Sequence, residues 1–156
     1  MKEQEGDSMS VHYDPGRLDD ANYTLGTLCS EFYERFGEKA KEIISRICYQ
    51  RGVALGRRFL RKEDKSFDNA IKAFVAVSEK TKTPGKLMSL ERDKAIIHGS
   101  GCPLGLEKKG RPLCEMMMTL DHGIIEEASG RKIKFKINKT LAAEDAFCEV
   151  IFEVEE

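Results

Sequence analysis

Apolar residues recur at three- and four-residue steps from about Asp19 onward, through Leu25, Leu28, Cys29, Phe32 and Phe36, and this spacing predicts a helix. Gly37 suits the C′ position that would close it. A second helical run carries Ala40, Ile43, Ile44, Ile47, Cys48, Leu55 and Phe59 on one side. Gly52 and Gly56 inside that run each cost about 1 kcal/mol relative to Ala, so they point to close packing or a kink. A third helix is expected from Ser66 to Ser78, with Phe67, Ala70, Ile71, Phe74 and Val75 as its stripe and Thr83-Pro84-Gly85 as its stop.

The period then changes. Leu87–Leu90 and Ala95–His98 read as strands around the charged turn Glu91–Lys94, and Gly99-Ser100-Gly101 ends that hairpin ahead of Cys102-Pro103. A fourth helix is expected to begin at Pro112, bury Leu113, Met116, Met117, Leu120 and Ile124, and close at Gly130. Ile133, Phe135 and Ile137 alternate with lysines, and Cys148, Val150, Phe152 and Val154 alternate with Phe147, Glu149, Ile151 and Glu153. Paired antiparallel, these runs would set a lysine row beside a glutamate row and turn Cys148 inward with Val150. The fold class expected is α+β: an antiparallel sheet packed against N-terminal helices, with one further helix before a C-terminal β-hairpin. Residues 1–16 read as an N-terminal arm, and 17–156 as one ligand-binding or hydrolase-like domain.

Composition changes this picture only at the margins. The 156 residues include 26 basic and 27 acidic side chains for a net charge of −1, which argues against a general nucleic-acid binder. The most basic stretch, Arg57–Lys62, reads as a solvated helix end; anion or nucleic-acid contact is the minority alternative. No run of about 18 apolar residues marks a membrane span, and the polar start of the chain lacks the apolar core of a signal peptide. Five cysteines, an odd number in a chain able to build its own core, fit reduced thiols and a cytoplasmic protein. Long amphipathic helices with a second apolar strip point to a homodimer.

Chemistry concentrates in the last third. Cys102, Cys114 and Cys148 each stand at a junction between apolar segments, where a thiol can be a nucleophile, a metal ligand or a small buried hydrophobe. Structural thiols are the simplest reading. A nucleophile at Cys102, between Gly101 and Pro103, is one alternative. A zinc site of His98, Cys102, Cys114 and Cys148 is another, although it lacks the paired spacing of zinc knuckles. Asp121-His122 could supply acid–base chemistry, but neighbours on a helix point about 100° apart, so one pocket can take only one of them directly. Met116, Met117 and Met118 read as adaptable core filling that would also suit an apolar pocket wall.

Cys102-Pro103, Arg111-Pro112-Leu113-Cys114, Asp121 and Asp145-Ala146-Phe147-Cys148 together resemble the L-2-amino-thiazoline-4-carboxylic acid hydrolase family over roughly residues 95–154. More distantly, the chain is similar to 4-vinyl-reductase-like small-molecule-binding domains, which are related to a Golgi-trafficking fold. The resemblance implies hydrolysis of a cyclic amidine C–N bond. It places Cys102, Cys114, Asp121 and His122 at the reaction and Arg111, Met117, Met118, Asp145 and Cys148 around the ligand. Met118 stands where the family often has a further cysteine, and Glu144-Asp145 replaces its Gly-Asp. The lost cysteine favours the alternative, a non-catalytic sensor or carrier using the same pocket. No output module accompanies the domain in this chain, so a free-standing enzyme or binding protein is expected. The expected partner is a small molecule.

Overall fold

The computed structural model describes residues 12–156; most of the expected N-terminal arm lies outside them. Five α-helices and four strands follow one another: α1 (Ala21–Phe36), α2 (Glu38–Gly56), α3 (Phe67–Glu79), β1 (Gly85–Glu91), β2 (Lys94–Gly99), α4 (Arg111–Met117), α5 (Thr119–Ser129), β3 (Ile133–Lys139) and β4 (Cys148–Val154). The fold is α+β, as its periodicities predict. Local chemistry sets the boundaries. The Asp20 carboxylate accepts from the amides of Asn22 and Tyr23 to start α1, and the Ser66 hydroxyl accepts from Asn69 to start α3. Gly37 (φ +56°) and Gly130 (φ +68°) close α1 and α5 in conformations that favour glycine.

The strands form one antiparallel sheet in the order β1-β2-β4-β3, so β4 runs through the middle and joins the two hairpins. Lys134 faces Glu153 and Lys139 faces Glu149 across β3 and β4. The expected lysine–glutamate row is broken at Lys136, which meets Ile151, and by an irregularity between Ile137 and Lys139.

Two expectations about helices need correction. The run from Pro112 to Gly130 is two helices that meet at Met118, whose ψ has relaxed to −5°. The Thr119 hydroxyl donates to the carbonyls of Met116 and Ser45, a side-chain bond that competes with the helical ladder and bends it. Helix α2 ends at Gly56, so Phe59 stands in the following turn instead of on the helix.

Gly52 and Gly56 mark a close approach of α2 to α5. A Cβ on Gly52 would lie 2.0 Å from the Leu120 carbonyl oxygen, and one on Gly56 would lie 2.6 Å from that of Ile124. Gly123 reciprocates, since its Cβ would lie 2.4 Å from the Tyr49 carbonyl oxygen. Two helices that touch backbone to backbone fix where α5 presents its remaining side chains. Arg57, first of the basic run, pairs with Glu127 on α5 at 3.4 Å.

The apolar interior is divided. One cluster joins α3, the inner sheet and α5 through Phe67, Ile71, Ile97, Ile125 and Phe152. The other joins α2, α4 and the loop after β2 through Ile44, Cys48, Leu104, Leu106, Leu113 and Met117. Leu120 packs against both. A cavity is lined by members of each.

Candidate functional site

A cavity of about 320 Å³ is lined from both clusters and from the loops at one end of the sheet. Leu55 comes from the end of α2 and Phe59 from the turn after it, Phe74 and Val77 from α3, Ile97 and Val150 from the sheet, and Leu120 and Ile124 from α5. Cys102 to Leu104, Leu106 and Thr140 to Ala142 line it from loops. This size is in the range of small-molecule sites, and its walls are mostly apolar with a few polar groups, as such sites generally are.

Cys102, Cys114 and Cys148 converge here from a loop, a helix and a strand. The Thr140 hydroxyl donates to Cys114 Sγ at 3.2 Å, and the Leu141 amide donates to Cys148 Sγ at 3.4 Å, so the 140–142 turn bridges two of the thiols. The Thr140 oxygen in turn accepts from the Ala142 amide. Burial pushes the Cys102 thiol up to about 11 and also raises Cys114, against the opposing pull of the Thr140 hydrogen bond. These two thiols are neutral at physiological pH. All five cysteines are free.

Asp121 also lines the cavity and supplies the carboxylate there. Among the described residues nothing donates a hydrogen bond to its carboxylate and nothing pairs with its charge. Asp121 is half-buried on the cavity lining. Desolvation alone raises its carboxyl to about 7.

His122, the next residue, turns the other way. Its Nε2–H donates to the Ile133 carbonyl at 2.6 Å, and its ring stacks on Phe135. One of the two neighbours faces the cavity, and it is the carboxylate. His122 is held against β3 and does not reach the cavity.

Three other expected site residues also stand outside it. The Arg111 guanidinium donates to the carbonyls of Ile137 and Asn138 at 2.9 and 3.2 Å, tying α4 to the end of β3. Asp145 accepts from the Thr140 amide at 2.8 Å and so holds the turn whose other side lines the cavity. Met117 is fully buried in the α2–α4 cluster, whereas Met118, at the bend between helices, forms part of the wall.

Among the described residues no group of three or more His, Cys, Asp and Glu side chains is placed to hold a metal. His98 lines the cavity, but its Nε2 lies 2.6 Å from the Glu149 carboxylate and its ring lies against Phe147. Hydrogen bonds from Asn138 and His98 hold Glu149 below the usual carboxylate range. Lys139, also on the lining, is exposed and lies over the Phe147 ring at 4.7 Å.

Sequence reasoning missed Phe59, Phe74, Leu104 and Thr140 as lining. The aromatic pair lay within helical stripes that read equally well as solid core. Thr140 carries no motif, and its role comes from the turn closed by Asp145.

No family model and no curated protein matches the chain. Solved structures do share its fold. One is the crystal structure of the phenol-responsive sensory domain of the transcription activator PoxR with phenol, at 13% identity and TM-score 0.64, covering 85% of this chain and 74% of that one. Another is trafficking protein particle complex subunit 3 from Naegleria fowleri covalently bound to palmitic acid, at 14% identity and TM-score 0.62, covering 86% and 93%. A third is the SO2144 H-NOX domain from Shewanella oneidensis in its Fe(II)CO state, at 13% identity and TM-score 0.50, covering 87% and 76%. The second agrees with the expectation of a trafficking-type fold. No helix among the described residues is long and apolar enough to cross a membrane.

Proposed function

We propose that this protein is a small-molecule-binding domain that holds a compact, largely apolar ligand between its sheet and helices. The observation that carries this reading is the cavity of about 320 Å³ between two apolar clusters. A mostly apolar cavity of that size with a few polar groups has the dimensions and lining of small-molecule sites. The fold is shared with a domain bound to phenol, a subunit bound to palmitic acid and an H-NOX domain in an Fe(II)CO state, which supports a ligand in this protein as well.

Binding without covalent chemistry fits the thiols. A nucleophilic cysteine needs a lowered pKa, and burial moves Cys102 and Cys114 in the opposite direction. One observation favours hydrolysis as a second reading: an Asp121 carboxyl near 7 would be matched to general-base work on a water at neutral pH. The two readings part on the fate of the ligand.

The test is a titration of methyl-labelled protein with small aromatic and aliphatic compounds, with the compound recovered afterwards. Binding without turnover predicts shifts confined to cavity methyls such as Ile97, Ile124 and Val150, and a compound returned unchanged. Shifts scattered over the surface would sink the site. Ring opening of L-2-amino-thiazoline-4-carboxylate by one water to S-carbamoylcysteine, abolished by Asp121→Asn, would replace the binding reading with the hydrolase one. A homodimer would use the strip of Leu28, Phe36, Ile43 and Ile47 that α1 and α2 leave exposed; light scattering of Ile47→Lys beside the parent protein checks it.

A further inference from the structure

We infer that the cavity selects ligands carrying a protonated amine on an apolar body, with the ammonium group seated against Asp121. The inference rests on the reading of the cavity as a ligand site and adds the chemistry of the ligand's head. A half-buried carboxylate in a mostly apolar cavity is poorly solvated, and an opposite charge or several hydrogen-bond donors would offset that cost. Asp121 has neither from the described residues, and it faces the one space where a ligand could supply them.

The rest of the lining does not answer that charge. His98 is engaged by Glu149, and Lys139 lies over Phe147 at the exposed edge, with its charge also felt by Glu149. Cys114, the titratable group coupled to Asp121 through space, is itself kept neutral by burial, as is Cys102. Helices α2 and α3 contribute no charged side chain to the lining, and β4 contributes Cys148 and Val150. An ammonium on the ligand would therefore be the counter-charge to Asp121. Phe59, Phe74, Leu120 and Ile124 would hold its apolar body.

This predicts a characteristic dependence on head group and pH. Three probes share one skeleton: 2-phenylethylamine, 2-phenylethanol and 3-phenylpropanoate. Calorimetric titration at about pH 8 should give the amine at least about tenfold tighter binding than the alcohol, with the carboxylate weakest, since a charge-assisted hydrogen bond outweighs a neutral one. An alkylammonium stays protonated well above neutrality. Amine affinity should therefore fall about tenfold from about pH 8 to about pH 6, as protonation of Asp121 reduces the competent fraction. Asp121→Asn, nearly isosteric, should bring the amine within about twofold of the alcohol and abolish the pH dependence.

Alcohol binding as tight as amine binding in the parent protein would overturn the inference and leave the cavity reading standing. Amine affinity indifferent to both pH and Asp121→Asn would do the same, and the pH series in the parent protein needs no variant to fold. If none of the three probes binds, the cavity reading and the inference fall together.

Discussion

Helix α5 presents two faces that follow opposite rules. On one face His122 donates to the Ile133 carbonyl, and Glu126 accepts from the Tyr49 hydroxyl at 2.7 Å and the Ile133 amide at 2.8 Å. Gly123 on this helix meets the backbone of α2. Space there is filled and polar atoms are answered. On the other face Leu120, Asp121 and Ile124 line a cavity, and none of the described residues donates to the carboxylate. The contrast matters because both faces belong to the same rigid element. A fold that answers Tyr49, His122 and Glu126 leaves Asp121 without a donor among the described residues.

The largest expected effect comes from that open carboxyl in the empty protein. Its folded value is near 7 and its ordinary value 3.8. Between those two values the unfolded chain has lost the proton while the folded chain keeps it, so stability falls as pH rises through this window. The low-pH stabilisation is fully present below about 4 and gone above about 7, a change of up to about 4 kcal/mol, less whatever water in the cavity returns. Asp121→Asn should flatten this part of the profile and leave the variant more stable than the parent protein above neutrality. Urea unfolding across the pH range measures both. Parallel slopes for the two proteins would mean that Asp121 is solvated like a surface group, and the contrast between the faces would vanish.

Next comes the packed face. Gly52→Ala should gain about 1 kcal/mol in helix propensity, yet its methyl would sit 2.0 Å from the Leu120 carbonyl oxygen. Backbone cannot step aside as a side-chain tip can, so α2 and α5 must separate. A net loss of about 2 kcal/mol is expected. The denaturation midpoint reads it, and an unchanged midpoint would show that the seam yields easily. Separation of the helices would also shift Leu120, so ligand affinity should fall together with stability.

Thr140→Val probes the turn that joins the thiols, with a smaller effect. The substitution removes the donor to Cys114 and strips the Ala142 amide of its acceptor in a buried place. A cost of about 1–2 kcal/mol follows from the unpaired amide. Because the lost hydrogen bond was the larger of two influences lowering Cys114, the other being the Arg111 charge, that thiol should move further up and alkylate more slowly. Faster alkylation would show that the turn shields the sulfur instead of tuning it.

How much of this was legible in the sequence differs between the same two faces. The packed side was readable: glycines at 52 and 56 inside an apolar helix have few causes, and close packing is the commonest. The alternation ending in Val150 and Phe152 turned Cys148 inward, where it lies. The choice between Asp121 and His122 was framed by helical geometry but not decided, because both neighbours are polar and the deciding contact, the Ile133 carbonyl, belongs to a distant strand. Arg111 and Asp145 were read as ligand contacts, yet each bonds to backbone and stands off the cavity lining. Such residues announce an ionic role, while the atoms they meet depend on loops that no periodicity describes. The cavity itself was illegible, since an apolar stripe that lines a hollow is written like one that lines a core.

The smallest expected effect uses a second acid on the same helix. Glu127 pairs with Arg57 at 3.4 Å and with Lys65 at 3.6 Å, both on the rim of α5. Arg57→Ala removes one of two cations that share a single carboxylate oxygen, and Lys65 remains in place. Exposed pairs contribute little because water screens them and holding long side chains costs entropy, so a loss below about 0.5 kcal/mol is expected. A double-mutant cycle with Glu127→Gln isolates the coupling. The charge on Glu127 should be nearly indifferent to its partner, whereas the charge on Asp121 should govern both stability and ligand choice, although both belong to one helix. A coupling of 2 kcal/mol or more, by the same order-of-magnitude scale, would mean that α5 is electrostatically demanding all round, and the special standing of its cavity face would be lost.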